Sequence, residues 1–258
     1  SSDLIISLQN AISKLSESEK SSWQRTLNRL EEICVLAKEC NVSVLIDAEE
    51  TWIQDPVDTL THLMMEKFNQ TKAVIYNTVQ LYRHDRLSFM QKMHQDAQEK
   101  KYLLAVKLVR GAYMEKERKR AIELNYPSPI QPDKISSDRD YDAALEYCLR
   151  HISEISVIIA THNEVSNMLA TELMEKNNIN PNHLHIHFSQ LYGMSDHITF
   201  NLARAGYSVS KYLPFGPIED VIPYLMRRAQ ENSSVSGQTG RELSLLKNEM
   251  KRRTNGKA

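Results

Sequence analysis

Several features that mark whole classes of protein are missing from this sequence. Charge excess is one: 32 Lys and Arg stand against 33 Asp and Glu, a formal net charge of -1 at pH 7. With no basic surplus to neutralise a phosphate backbone, nucleic acid is excluded as a partner and a small molecule is favoured. Only three cysteines occur, Cys34, Cys40 and Cys148, with no CxxC spacing. Three cannot all pair with one another, so they read as reduced thiols of an intracellular protein. No apolar run reaches the roughly 18 to 20 residues that span a bilayer, and no basic-then-apolar leader opens the chain. A soluble protein is expected, attached at most to a membrane surface. Linkers rich in Gly, Ser or Pro are absent too, which favours one domain over residues 1–258. GxGxxG, GxxxxGK[ST] and GxSxG do not occur, so any dinucleotide has to bind without the usual glycine-rich loop.

What is present is a rhythm. Short runs rich in Val and Ile recur: "VSVLIDA" (42–48), "AVIYNTVQ" (73–80), "LLAVKLVRG" (103–111), "SVIIATHN" (156–163), "HIHFSQL" (185–191) and "YSVSKYLPFG" (207–216). Between them lie longer charged segments with helical spacing, as in Trp23, Leu27, Leu30, Ile33 and Leu36. Strand then helix, repeated, is the pattern of parallel βα units. Each run gives way at its end to chemically capable residues: Asp47-Ala48-Glu49, Gln80, Arg110-Gly111-Ala112-Tyr113, Thr161-His162-Asn163, Gln190-Leu191 and Tyr212. A (β/α)8 barrel builds its active site from those ends, so the barrel is the expected fold. A doubly wound open sheet is the alternative. Six strands are visible where a barrel needs eight. Either "DLIISL" (3–8) supplies another, or the chain starts downstream of the barrel's first strands.

Some of these residues carry two readings. Strict alternation on "LLAVKLVRGAY" puts Lys107 beside Ala105 and Val109, an expensive place for an ammonium without a partner. It either pairs with a carboxylate such as Asp47, or contacts a cofactor or forms a Schiff base. Asp47 and Glu49 could instead cap the next helix, and His162 could be a turn residue. The alternating His183, His185 and His187 have no carboxylate or cysteine beside them and splay within one strand, so no metal is expected there. In "YLPFGPIEDVIPYLMRRAQEN", Pro223 kinks a helix or sits in its first turn. Beyond it Tyr224, Arg227, Arg228 and Glu231 share one helical face. That face is either solvated, with an Arg228–Glu231 pair, or a planar bidentate clamp for a carboxylate or phosphate.

Taken together, "LIDAEET", "YNTVQLY", "VKLVRGAY", "ATHNE", "QLYGMSD" and "KYLPFGPIEDVIPYLMRRAQENSS" closely resemble the proline dehydrogenase family in order and spacing, over roughly residues 18 to 253. The likeness is greatest to single-function, mitochondrial-type members, and no aldehyde dehydrogenase domain is expected in this chain. It implies a (β/α)8 barrel that holds FAD at its C-terminal face. It also implies oxidation of L-proline to Δ1-pyrroline-5-carboxylate, the first step of proline catabolism, with electrons passed to a membrane quinone. The setting would be the matrix side of the mitochondrial inner membrane, or a bacterial cytoplasm with peripheral membrane contact.

Carried over residue by residue, Arg227 and Arg228 clamp the proline carboxylate and Glu231 pairs with a cation near them. Tyr113, Leu191, Tyr212 and Tyr224 enclose the pyrrolidine ring. Lys107 takes the position that contacts flavin N5, where many members have arginine, and Gln80 bonds the flavin ring. Ala48, Arg110, Gly111, Ala112, Thr161 and His162 line the FAD site. Asp47 sits where the family's catalytic aspartate belongs and is expected to order the site's cations, since a salt-bridged aspartate is a weak base. Tyr212 favours proline, because hydroxyproline-oxidising relatives tend to be smaller at this position. The departure lies at the N-terminus, where the family has two more strands, one ending in a "KLTAL"-like sequence without a counterpart here. A barrel lacking its first two strands, with an open edge, is therefore expected.

Overall fold

The six apolar runs become six strands, and the charged segments between them become helices. Helices α1 (Ser2–Ser13) and α2 (Glu17–Glu39) lead into β1 (Val44–Ile46) and α3 (Thr51–Phe68). Then follow β2 (Ile75–Gln80), α4 (Arg86–Lys100), β3 (Leu104–Val109), α5 (Met114–Glu123), α6 (Lys134–Arg150) and β4 (Ile155–Ala160). The chain continues through α7 (Glu164–Lys176), β5 (Ile186–Leu191), α8 (Asp196–Arg204), β6 (Val209–Tyr212), α9 (Ile218–Ser234) and α10 (Gln238–Asn255). The structure, a computed structural model, describes residues 2–234 and 238–255; within these spans the side chains of residues 2–5, 227–234, 238–243, 245, 246 and 255 lie outside the description.

Every neighbouring pair of strands is parallel, and the order across the sheet is the order along the chain, β1-β2-β3-β4-β5-β6. That order decides between the two expected folds. A doubly wound sheet reverses direction at a switch point, whereas an unbroken sequence of strand and outer helix is barrel winding. The result is a half-barrel. Among the described residues nothing pairs with the outer edge of β1 or of β6.

Burial explains why these runs were legible. Strand β2 is buried throughout, and Leu104, Val106, Leu108, Ile155, Val157 and Ile159 of β3 and β4 are at most 1% exposed. Strands covered on both faces read as continuous apolar runs. The edges differ, since Leu45 on β1 and Tyr212 on β6 are exposed, as is Phe215 beyond β6. Two expectations resolve here. The "DLIISL" segment is helical, part of α1, which packs on α3. Leu4, Leu8 and Ile12 recur at the helical period of four, and among the described residues no neighbouring strand offers it a ladder. Pro223 lies inside α9 and not in its first turn.

A buried polar clamp fixes α3 and α4 against β2. The Asp58 carboxylate, 1% exposed, accepts hydrogen bonds from Gln54 Nε2 at 2.9 Å, Asn77 Nδ2 at 2.9 Å and Arg86 NH1 at 2.6 Å. Arg86 also donates to Asp85, which Arg83 holds from its other side. Burial alone would raise the Asp85 carboxyl, but hydrogen bonds and charge from Arg86 and Arg83 outweigh it and hold it at about 2. A carboxyl lowered in the folded state stabilises above its unfolded value and loses that contribution as pH falls toward the folded one. Acid titration followed by circular dichroism should therefore show stability declining between pH 4 and pH 2 in the native chain, and Asp85→Asn should flatten that decline. Arg86→Leu leaves Asp58 buried and uncompensated, and a urea midpoint should report a loss of about 3–5 kcal/mol. Adding Asp58→Leu should recover part of it.

Candidate active site

Inward-facing residues alternate along each strand, and near the C-terminal ends they line one cavity of about 870 Å³. Its wall comprises Leu45 and Asp47 from β1 and the turn after it, Thr78 and Gln80 from β2, Lys107 and Val109 from β3, Ala160 from β4, Ser189 and Leu191 from β5, and Tyr212 from β6. The turns after β3 and β4 add Arg110, Gly111, Ala112 and Tyr113, and Thr161 and His162; Ala48 and Tyr224 complete the ring. Every candidate residue whose side chain is described therefore faces this one space. Arg227, Arg228 and Glu231 occupy α9, and their side chains lie outside the described residues.

Lys107 meets Asp47 in an ion pair across the mouth, the lysine side chain 15% exposed and the aspartate 57%. The ammonium on the apolar strand thus has the carboxylate it needs. Asp47 does not cap α3: the N-cap is Glu50, which makes no side-chain cap. Glu49 is tied at three points. Its N–H donates to Gln54 Oε1 at 2.9 Å, its carbonyl accepts from Gln80 Nε2 at 2.7 Å, and its carboxylate accepts from the Tyr113 hydroxyl. Gln80 thus spends its amide N–H on the β1 turn. Two residues beyond Glu49, the Thr51 N–H and hydroxyl both donate to Glu117, which is fully buried on α5.

Arg110 is a tie as well as a lining residue. Its guanidinium donates to Asp138 at 2.6 Å, Thr161 Oγ1 at 2.8 Å and Ser166 Oγ at 3.0 Å, and lies 4.3 Å over the Tyr141 ring. Burial would raise the Asp138 carboxyl, but hydrogen bonds from Lys134 and Arg110 and their charges hold it below the ordinary range. Thr161 Oγ1 also accepts from Asn163 N–H, and Asn163 caps α7. The His162 ring lies 3.0 Å from Ser195 Oγ through Nδ1, and Leu191 N–H points to its Nε2 at 3.5 Å. Gly111 has φ of +132°, and a Cβ there would lie 2.4 Å from the buried Tyr82 ring. Tyr212 and Tyr224 pack ring on ring with centroids 5.6 Å apart.

Some of the wall was not anticipated. Ser195 lines it from the N-cap of α8 with φ of +52°, holding His162; Lys211, outside the lining, donates to the Met194 carbonyl at 2.5 Å and pairs with Asp196 at 2.7 Å. The Gly-Met-Ser-Asp turn was the available signal, since short polar residues next to glycine mark left-handed positions. Of the three alternating histidines only His187 lies in β5; His183 and His185 stand in the turn before it, edge to face at 5.5 Å, with His185 Nδ1 bound to the Ile152 carbonyl.

Chemically, the cavity offers an ammonium, amides, hydroxyls, imidazoles and tyrosine faces in a volume toward the upper end of small-molecule sites. The family model described as "Proline dehydrogenase" matches residues 2–241. The chain belongs to the proline dehydrogenase family. It is 37% identical over 256 residues to "Proline dehydrogenase 1, mitochondrial" of Drosophila melanogaster, with 95% of this chain and 38% of that protein covered. It is 39% identical over 249 residues to "Hydroxyproline dehydrogenase" of Xenopus laevis, covering 95% of this chain and 53% of that protein. The chain thus spans two fifths to about half of these relatives. Among solved structures, proline utilization A from Bdellovibrio bacteriovorus is similar with a TM-score of 0.77 and 27% identity, over 84% of this chain and 22% of that one.

Gly111→Ala should destabilise the protein by about 1–3 kcal/mol, because the methyl group meets ring carbons and the backbone is left-handed. Urea unfolding measures it. In a Tyr82→Leu background the same substitution should cost measurably less.

Proposed function

We propose that this chain oxidises L-proline to Δ1-pyrroline-5-carboxylate with FAD, passing electrons to a quinone, and that its 258 residues act as one domain of the barrel. The observation that carries this reading is the convergence of every described candidate side chain on one cavity at the strand ends. FAD suits that cavity: the ammonium, amide and aromatic groups match a flavin's ring and polar edge, and no glycine-rich loop is required of a barrel mouth. When bound, FAD supplies the two-electron acceptor that no side chain here provides.

In this reading Lys107, Gln80, Ala48, Arg110, Gly111, Ala112, Thr161 and His162 hold the cofactor. Asp47 fixes the Lys107 ammonium in position. Tyr113, Leu191, Tyr212 and Tyr224 surround the substrate ring and exclude water, so that orientation supplies much of the acceleration. Arg227 and Arg228 grip the carboxylate and Glu231 balances a neighbouring cation. Among the described residues no helix is long and apolar enough to cross a membrane, so quinone contact is peripheral in this proposal. A mitochondrial matrix-side or bacterial cytoplasmic setting goes with it.

In this proposal proline is favoured over hydroxyproline: Tyr212 lines the cavity in contact with Tyr224, and its bulk leaves less room for a ring hydroxyl than a small side chain would. The FAD-loaded protein should bleach at the flavin band when L-proline is added anaerobically; protein that binds FAD yet stays oxidised would sink the proposal. Arg227→Ala should raise the proline KM roughly 10- to 150-fold, the worth of about 1.5–3 kcal/mol for a charge-assisted contact. Tyr212→Ser should shift the ratio of kcat/KM toward 4-hydroxyproline, and an unchanged ratio would remove Tyr212 as the specificity element.

A further inference from the structure

At the end of the sheet opposite the cavity, three elements bring together ligating groups far apart in sequence. His94 projects from α4, His151 is the C-cap of α6, and Glu154 stands in the turn that enters β4. One ligating atom from each lies within 4.8 Å of the other two. His94, 1% exposed, is aimed by both ring nitrogens: Nδ1 lies 2.9 Å from the Tyr147 hydroxyl and Nε2 lies 2.9 Å from Glu154 Oε2. Gln98 Nε2 donates to the same carboxylate oxygen at 2.9 Å. His151 packs against both rings, 4.9 Å from His94 and 4.6 Å from Tyr147 between centroids.

We propose that His94, His151 and Glu154 form a Zn²⁺ site, with water in the fourth position. Two imidazoles and a carboxylate are a zinc donor set, and bonds of about 2.0–2.1 Å place tetrahedral ligand atoms roughly 3.3 Å apart, within the spacing these groups already have. On binding, the metal takes the Nε2 lone pair of His94, and its Nδ1–H donates to Tyr147 O. That is the outer hydrogen bond a zinc-bound histidine needs to fix its tautomer. Gln98 performs the same service for Glu154. Without metal the tautomer reverses: Nε2–H donates to Glu154, and the Tyr147 hydroxyl donates to Nδ1. Binding therefore needs a proton shift within the cluster and no new backbone. His183, His185 and His187, the alternating histidines of the sequence, have no such convergence among the described residues.

A site in this position joins α4, α6 and the start of β4 at the end of the strands away from the cavity, so it serves stability. The test is equilibrium dialysis of chelator-stripped protein against Zn²⁺, with thermal melting alongside. One Zn²⁺ per chain and a rise in Tm are expected. His94 is deeply buried and its loss could unfold the chain, so the deciding variants are the more accessible Glu154→Gln and His151→Asn. Each should weaken binding at least about tenfold while melting near wild type in chelator, and Tyr147→Phe should weaken it by roughly 10-fold or more as an outer-shell change. His183→Gln should bind as wild type. No bound zinc in wild type, or equal binding by Glu154→Gln and His151→Asn, overturns the proposal.

Discussion

An ammonium on an apolar strand is the constraint from which the upper half of this molecule follows. Lys107 stands between Ala105 and Val109 on β3, and its charge is tolerable there because Asp47 reaches it from the end of β1. The two strands are not neighbours; β2 lies between them, with Thr78 in register with Lys107. The pair therefore forms only if three strands end at matching heights. Sheet register and site chemistry are one requirement at this point, and a slip of one residue would turn Lys107 into the hydrophobic layer beneath the helices.

Holding Asp47 at that height is the task of the turn after β1. Its next residue but one, Glu49, has N–H, carbonyl and carboxylate all engaged, by Gln54, Gln80 and Tyr113. Gln54 passes the restraint to Asp58, and Asp58 to Arg86. A chain of polar contacts thus runs from the cavity wall into the buried clamp between α3 and α4. Networks of this kind position a site well because each member's alternative is an unsatisfied group in a poor solvent. The polar residues under the cavity are explained by this coupling.

The strands were legible in the sequence because central parallel strands are wet on neither face, and Val- and Ile-rich runs of this length have few other uses. Their chain-order winding was legible only indirectly, through the polar residues at every C-terminal end. "DLIISL" misleads because six apolar-rich residues fit either period; its neighbours Ala11 and Ile12, which extend the helical spacing, decide it. What stayed hidden were bonds between residues remote in sequence. Glu117 and Thr51 are 66 positions apart, and neither carries a local mark of their contact. Likewise "VRGAY" shows a glycine, but not that the Tyr82 ring fills the place of its missing side chain. For the arginine pair, helical spacing placed the two residues on one face of α9, and the helix is there.

The side chains at the two ends of the sheet differ in what they are tied to. At the entry to the strands one side chain is tied to backbone throughout: Asn69, fully buried, accepts from Val74 and Ile75 N–H and donates to the Ile75 and Leu103 carbonyls, while His94, Tyr147, Gln98 and Glu154 bond side chain to side chain. At the exit, side chains bond largely to one another, as in Lys107 with Asp47, Tyr113 with Glu49, Arg110 with Asp138 and His162 with Ser195. A side chain tied to backbone cannot be displaced without breaking the fold. A pair of side chains can exchange its partner for a ligand and return. Asn69 therefore holds the entry end as part of the fold itself, and the side-chain pairs, around the cavity and around His94, are the places where a ligand can enter by exchange of partners.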